Sequence, residues 1–217
     1  TSCRHRIASC PPDPAEVRRA VDLGFGLVMP DEPGAEPAAF ARRVAAVAAY
    51  AHRHGVAVEA EVGQLPYAAG GHVETDQTGL TDPEQAARFV AATGVDLLAV
   101  SVGNVHVMVE GARGLDLDRL AALRHRLELP FDLHGGSGIE AGALRGAIRL
   151  GVAKVCYGTY VKQRYLTAVR QALGGHQPDP HRLLAGGGPE DVLVAGRRAV
   201  AEAVLERIDL LGCCGQA

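Results

Sequence analysis

Residues 80–106, LTDPEQAARFVAATGVDLLAVSVGNVH, decide the fold. Asp82 stands as an N-cap, and Pro83 takes the first helical position, where its missing N–H costs nothing. The helix stops at Gly94, a C-terminal glycine of the usual kind. Asp96 to Val102 then reads as an apolar strand, and the loop beyond it carries Asn104 and His106. Helix, glycine stop, short strand and polar loop make one unit.

The same unit recurs on both sides. Upstream, Asp13-Pro14-Ala15-Glu16 caps a helix that stops at Gly24, and Phe25 to Met29 is a strand. A long Ala-rich helix from Pro37 ends near His54-Gly55, Val56 to Val62 is the next strand, and a Gly-rich loop of roughly twenty residues follows; loops that long are usually functional or disordered. Downstream, Asp116 to Leu127 is a helix, Pro130 to His134 a strand, Ile139 to Leu150 a helix, Ala153 to Tyr157 a strand and Val161 to Leu173 a helix. A Gly/Pro-rich linker over 174–189 leads to a last helix, Glu190 to Leu211.

Repeated strand–helix order with short connections requires a parallel sheet. With no early G-x-G-x-x-G to favour an open doubly wound sheet, the expected fold is a (β/α)8 TIM barrel in a single domain over 1–217. Five clear strands, with a sixth in Arg4 to Cys10, give about six of the eight that close a barrel. The shortfall lies at the N-terminus; a trimmed chain, omitted residues and an unusual closure all stay open.

Composition narrows the class. The chain has 217 residues, 47% hydrophobic but only 4% aromatic and without Trp, so its core is Ala, Val and Leu. The net charge of −3, with no basic cluster, gives no footprint for nucleic acid. No apolar run approaches the ~20 residues of a membrane span. The N-terminal TSCRHRIASC lacks the order of a signal peptide. Five cysteines in no regular spacing do not form a disulfide framework, and a cytoplasmic protein with reduced thiols is expected.

Functional groups of parallel α/β folds collect at the C-terminal ends of strands. Those positions hold Ser9 and Cys10, Glu59 and Glu61, Asn104 and His106, His134 to Gly138, and Cys156 to Thr159. A cysteine, a carboxylate and two histidines from different strand ends suit a borderline-soft divalent metal, zinc above all. Glu59 and Glu61 share a parity, and Glu61 is nearer the catalytic end. His134-Gly135-Gly136-Ser137-Gly138 is a glycine-rich turn entering a helix, which exposes N–H groups to an anion; Gly158 and Thr159 face it from the next loop. A strand-end histidine also serves as an ordinary hydrogen-bonding group, and both readings stand at this point. His52, His54 and His125 read as surface residues, Cys213 and Cys214 as an inert tail, and His72 as a lesser candidate ligand in the long loop.

VEAEVG (58–63), the opening stretch 80–106, and LPFDLHGGSGIEAGALRGAIRLGVAKV (129–155) resemble the zinc-dependent class II fructose-bisphosphate and tagatose-bisphosphate aldolases. The resemblance runs from about Ala15 to Leu173. It implies a TIM barrel whose family members carry about two further strand–helix units ahead of this chain's start. It implies zinc polarising a substrate carbonyl and stabilising its enediolate. It places two zinc histidines on His106 and His134 and the movable zinc carboxylate on Glu61. Asn104 matches an N-V-H form of the motif. Gly135, Ser137 and Thr159 fall where the family binds phosphate, with Gly136 and Gly158 beside them.

The departures lie at the site. Counting back from Ala20, Ser9 and Cys10 take the place of the family's Asp-His pair, so Cys10 would be the third metal ligand and Ser9, with Glu61 and Asn104, a catalytic candidate. The strand-eight motif N-x-D-T reads Cys156-Tyr157-Gly158-Thr159, and the glycine and lysine expected after the first zinc histidine are replaced by Val107 and, nearby, Glu110. Two readings follow. One is a diverged metal-dependent carbon–carbon lyase for a small carbonyl substrate, phosphorylated if the glycine turn holds phosphate. The other is a non-catalytic barrel: a ligand-binding pseudoenzyme or a partner subunit. The retained histidines and GGSG favour the enzyme. Family habit also implies a homodimer or homotetramer, while the last helix's stripe of Val192, Val194, Ala195, Val200, Val204 and Ile208 is read as packing on its own barrel.

Overall fold

A computed structural model describes the main chain of residues 7–10 and residues 13–32, 34–66, 79–175 and 179–215. Six strands alternate with helices: β1 (Ile7–Cys10), α1 (Pro14–Asp22), β2 (Leu27–Pro30), α2 (Pro37–Arg53), β3 (Ala57–Val62), α3 (Pro83–Thr93), β4 (Leu97–Val100), α4 (Leu117–Arg126), β5 (Phe131–Leu133), α5 (Ala141–Arg149), β6 (Val152–Val155) and α6 (Thr159–Leu173). A short α7 (Pro180–Leu183) and a long α8 (Val192–Leu211) follow. The strands lie in the order β1-β2-β3-β4-β5-β6, every neighbouring pair parallel. Chain order equals spatial order, the topology of a (β/α) barrel wall.

The sheet curls. Side chains of β3 and β6 meet, Glu59 Oε2 with Lys154 Nζ at 2.6 Å, although β4 and β5 lie between them. In a flat sheet three strand spacings would hold them about 14 Å apart.

Local chemistry sets the helix starts. Asp82 accepts from Gln85 N, Asp13 from Ala15 N, Asp116 from Arg119 N and Asp191 from Leu193 N. Between helices and sheet lie two apolar clusters. Leu98, Val100, Phe131 and Leu133 pack with Leu120, Leu123, Leu144 and Ala147. Val28, Val58 and Ala60 pack with Val17, Val44, Val47 and Ala51.

Some boundaries differ from expectation, each for a visible reason. The strand read over 96–102 pairs only over Leu97–Val100, because Val102 N donates to the side chain of Asn104 at 2.9 Å. The sixth helix starts at Thr159, two residues early, where Ser137 Oγ accepts from Tyr160 N. The 174–189 linker contains α7, capped by Asp179. α8 packs on α6; of its apolar stripe Val192 is buried, as are Gly196 and Ala203, while Val204 is exposed. The approach is close: a Cβ on Gly196 would lie 2.3 Å from the Tyr165 ring. No described helix is long and apolar enough to cross a membrane.

Candidate metal and anion site

The C-terminal strand ends open into a cavity of about 1050 Å³ lined by Glu61, His106, His134, Ser137, Lys154, Cys156 and Thr159, among others. Its two histidines arrive on interlocked loops. After β4 the chain folds back so that Asn104 Oδ1 accepts from Val102 N and Asn104 Nδ2 donates to Val100 O and His134 O. Arg113 N then donates to Gly138 O, and Glu140 N to Arg113 O. Gly135 sits at φ 69°, and a Cβ there would lie 2.0 Å from Val105 O, so only glycine admits this approach.

The rings of His106 and His134 lie 5.7 Å apart. Glu61 Oε2 approaches His134 Nδ1 at 2.7 Å, and ligand atoms of Glu61, His106 and His134 all fall within 4.8 Å of one another. Beneath them is a second layer that sequence reasoning left unassembled. Asp132 and Glu59 are fully buried. Lys154 Nζ bridges them, at 2.9 Å from Asp132 Oδ2 and 2.6 Å from Glu59 Oε2. His134 Nε2 is 3.0 Å from Asp132 Oδ2, and Cys156 Sγ is 3.4 Å from the same oxygen.

Charge distribution follows from these contacts. Burial works against a charge on His134, but its contacts with Asp132, Cys156 and the nearby carboxylates of Glu59 and Glu61 outweigh it and hold its pKa far above the ordinary histidine range. Lys154 is likewise held charged by Glu59 and Asp132 against the effect of burial. Burial would raise the Asp132 pKa, yet hydrogen bonds from His134 and Lys154 bring it below the usual value. His106 goes the other way: burial lowers its pKa and Glu61 only partly compensates, so its imidazole favours the neutral, ligating form.

The part of the cavity expected to take an anion is formed largely by main chain. Gly136–Gly138 forms a single 3₁₀ turn, and Gly158 caps α6 without a side-chain cap. Ser137 and Thr159 line the cavity there, joined by Lys162, a cation that strand-end reasoning missed because it lies one turn into a helix.

Expected site residues therefore divide. His106, His134 and Glu61 are brought together. Gly135, Ser137, Gly158 and Thr159 line one side of the cavity, while Gly136 is buried under it against Val155 and Cys156. Asn104, a catalytic candidate, is buried, and both ends of its amide are taken by main chain. Ser9 and Cys10 end β1 in register with Met29 and Pro30, two cavity-lining residues, and their main chain alone is described. His72 lies outside the described residues. The overlooked Asp132 and Lys154 had a signal: a charged residue inside an apolar strand, FDL or VAKV, needs a buried partner.

A family model for class II fructose-bisphosphate aldolase matches residues 10–216. The chain belongs to that family. Aldolases of known structure share the fold described above. The YdjI aldolase from Escherichia coli K12 is 30% identical with a TM-score of 0.75, over 94% of this chain and 67% of that one. A candidate fructose-1,6-bisphosphate aldolase from Coccidioides immitis is 28% identical with a TM-score of 0.71, over 97% and 71%. The fructose-bisphosphate aldolase of Campylobacter jejuni, 22% identical with a TM-score of 0.65 over 88% and 61%, shares the fold. This chain thus spans about two thirds of the length of these aldolase structures.

Proposed function

We propose that the chain is an aldolase-like, metal-dependent carbon–carbon lyase for a small carbonyl substrate that carries a phosphate. The observation that carries this reading is the convergence of Glu61, His106 and His134 at one mouth of a cavity whose other side is the glycine turn and the start of α6. The donor set fits a divalent metal of the zinc type, with imidazole and carboxylate ligands and solvent access to one side. His106 and His134 would hold the ion, with Glu61 beside them. When bound, such a metal supplies Lewis-acid polarisation of a carbonyl.

The chain's own residues supply the rest. Glu61, half-open to the cavity and hydrogen-bonded to His134, is the carboxylate placed to hold or move a proton at the substrate. Ser137, Thr159 and the glycine turn would orient the phosphate, with Lys162 offsetting its charge. Cys10 and Ser9, at the end of β1 in register with Pro30 and Met29, stay the candidate third ligand and hydroxyl of this reading. By family analogy, the working form is a homo-oligomer.

The test is retro-aldol cleavage of ketose phosphates by the purified chain, read as release of a triose phosphate, with metal content measured in parallel. Near-stoichiometric zinc and cleavage lost on chelation are expected. Zinc without cleavage of any ketose phosphate would support the ligand-binding alternative, which the altered Cys156-Tyr157-Gly158-Thr159 motif favours. Failure to bind a divalent metal even after incubation would overturn the reading.

A further inference from the structure

We infer that this chain has an inner metal seat made by Asp132, His134 and Cys156, distinct from the outer group of His106 and Glu61. The inference rests on the reading that the chain binds a divalent metal, and it adds to the outer group a second seat that shares His134.

His134 stands between two donor sets and turns a different nitrogen to each. Nδ1 faces Glu61 at 2.7 Å, while Nε2 faces Asp132 at 3.0 Å. On the Nε2 side, ligand atoms of Asp132, His134 and Cys156 all lie within 4.8 Å of one another. Tetrahedral zinc bonds of about 2.0–2.3 Å put ligand atoms about 3.3–3.8 Å apart, and the 3.0 Å from His134 Nε2 and 3.4 Å from Cys156 Sγ to Asp132 Oδ2 already lie close to that spacing. Thiolate, imidazole and carboxylate together select zinc or cobalt over magnesium or calcium.

An independent observation points to the same place. Glu59 Oε1, in a fully buried side chain, has no hydrogen-bond partner among the described residues, and it lies 3.5 Å from His134 Nε2. An unsatisfied buried carboxylate oxygen is costly and calls for a donor or a cation.

Lys154 does not fill that need. It holds Glu59 by Oε2 and Asp132 by Oδ2, which leaves Glu59 Oε1 beside His134 and Asp132 Oδ1 facing Cys156 Sγ at 3.8 Å. Its role is to fix both carboxylates and cancel one of their charges. With a divalent ion in the seat, three negative groups (Glu59, Asp132 and the Cys156 thiolate) face three positive charges, the ion's two and that of Lys154. The buried layer is then neutral, as a water-poor interior requires.

The experiment is cobalt(II) titration of the metal-free full chain, followed by absorption. Cobalt bound through Cys156 gives a near-ultraviolet thiolate-to-cobalt charge-transfer band in addition to the visible ligand-field bands. The Cys156→Ser variant should lose that band and weaken cobalt binding by about tenfold or more. His106→Ala and Cys10→Ser should both keep it. Ligand-field bands without charge transfer would overturn the inner seat while leaving the outer metal reading intact. A charge-transfer band that survives C156S and vanishes in C10S would overturn it in favour of Cys10. No cobalt bound at all would remove both.

Alkylation of the wild-type chain gives a second readout that needs no variant. Zinc should slow iodoacetamide labelling of Cys156 by about tenfold or more, and chelation should restore it, with the exposed Cys213 as the internal reference. Equal labelling of Cys156 with and without zinc would overturn the proposal.

Discussion

Asn104 and His134 are joined by a hydrogen bond, Nδ2 to main-chain O, at 3.0 Å across two loops. The same amide closes the end of β4 through Val102 N and Val100 O. One buried side chain therefore sets where the His106 loop leaves its strand and where the His134 loop begins. Asn104→Ala leaves three buried main-chain groups without that partner. The variant should lose about 3 kcal/mol of stability. Zinc affinity measured by competition with a chromophoric chelator should fall by roughly tenfold. Unchanged zinc affinity would show that the amide supports the loops but not the histidines.

Lys154 bridges Glu59 and Asp132 at 2.6 and 2.9 Å. Breaking a buried ion pair from one side leaves an uncompensated charge, whereas removing both sides does not. Lys154→Met should cost about 3 kcal/mol in urea unfolding, and adding Glu59→Gln should recover part of that loss. Strict additivity of the two changes would show that the pair is not coupled.

How far the site is readable from sequence depends on the range of the interactions. Asp82-Pro83 and Gly94 specify their helix within a few residues, as do Asp13-Pro14 and Gly24, so the alternation of elements is legible locally. His106 and His134 are legible because a strand end has a known direction in a parallel sheet. The Glu59–Asp132–Lys154 layer is not legible as a cluster. Its members lie 22 and 95 residues apart and meet only because the sheet curls β6 towards β3. Cys156 could be read as a strand-end residue, but Asp132, its partner, looks like part of an apolar strand until its burial is known. The α8 stripe is legible as a face that packs on its own chain, but the part of Gly196 is not, since its close approach to Tyr165 depends on a ring brought by another helix.

Val107, next to His106, sits at φ 55°, where a β-branched residue is a clear outlier. Such conformations cost of order 1–3 kcal/mol and persist where surrounding structure enforces them. Here Pro66 O accepts from His106 N at 2.9 Å, and the following loop is tied to Gly138. Val107→Gly should relieve about 2 kcal/mol of strain, offset by about 1 kcal/mol from glycine's freedom in the unfolded chain. A net gain of about 1 kcal/mol is expected in chemical denaturation. A destabilised variant would mean that the valine side chain, on the cavity wall, contributes packing that outweighs its strain.

Asp191 begins α8, and its carboxylate accepts from Gly187 N, Leu193 N and Val194 N. Those main-chain donors, Gly187 first, pull its pKa below the usual aspartate value despite the opposing effect of burial. The sign follows. A carboxyl whose folded pKa is depressed stabilises the fold at pH values above its unfolded pKa, and that contribution disappears as pH falls through the folded one. Asp191→Asn keeps an oxygen acceptor for the helix N–H groups but removes the titration. At neutral pH the variant should melt below the wild type, because it loses the charge at the positive end of the helix dipole. Towards acid the two melting temperatures should converge, with the gap closing below the ordinary aspartate range. A gap that stays constant from neutral pH into strong acid would show that Asp191 acts by shape alone and that its charge contributes nothing to docking α8 on the barrel.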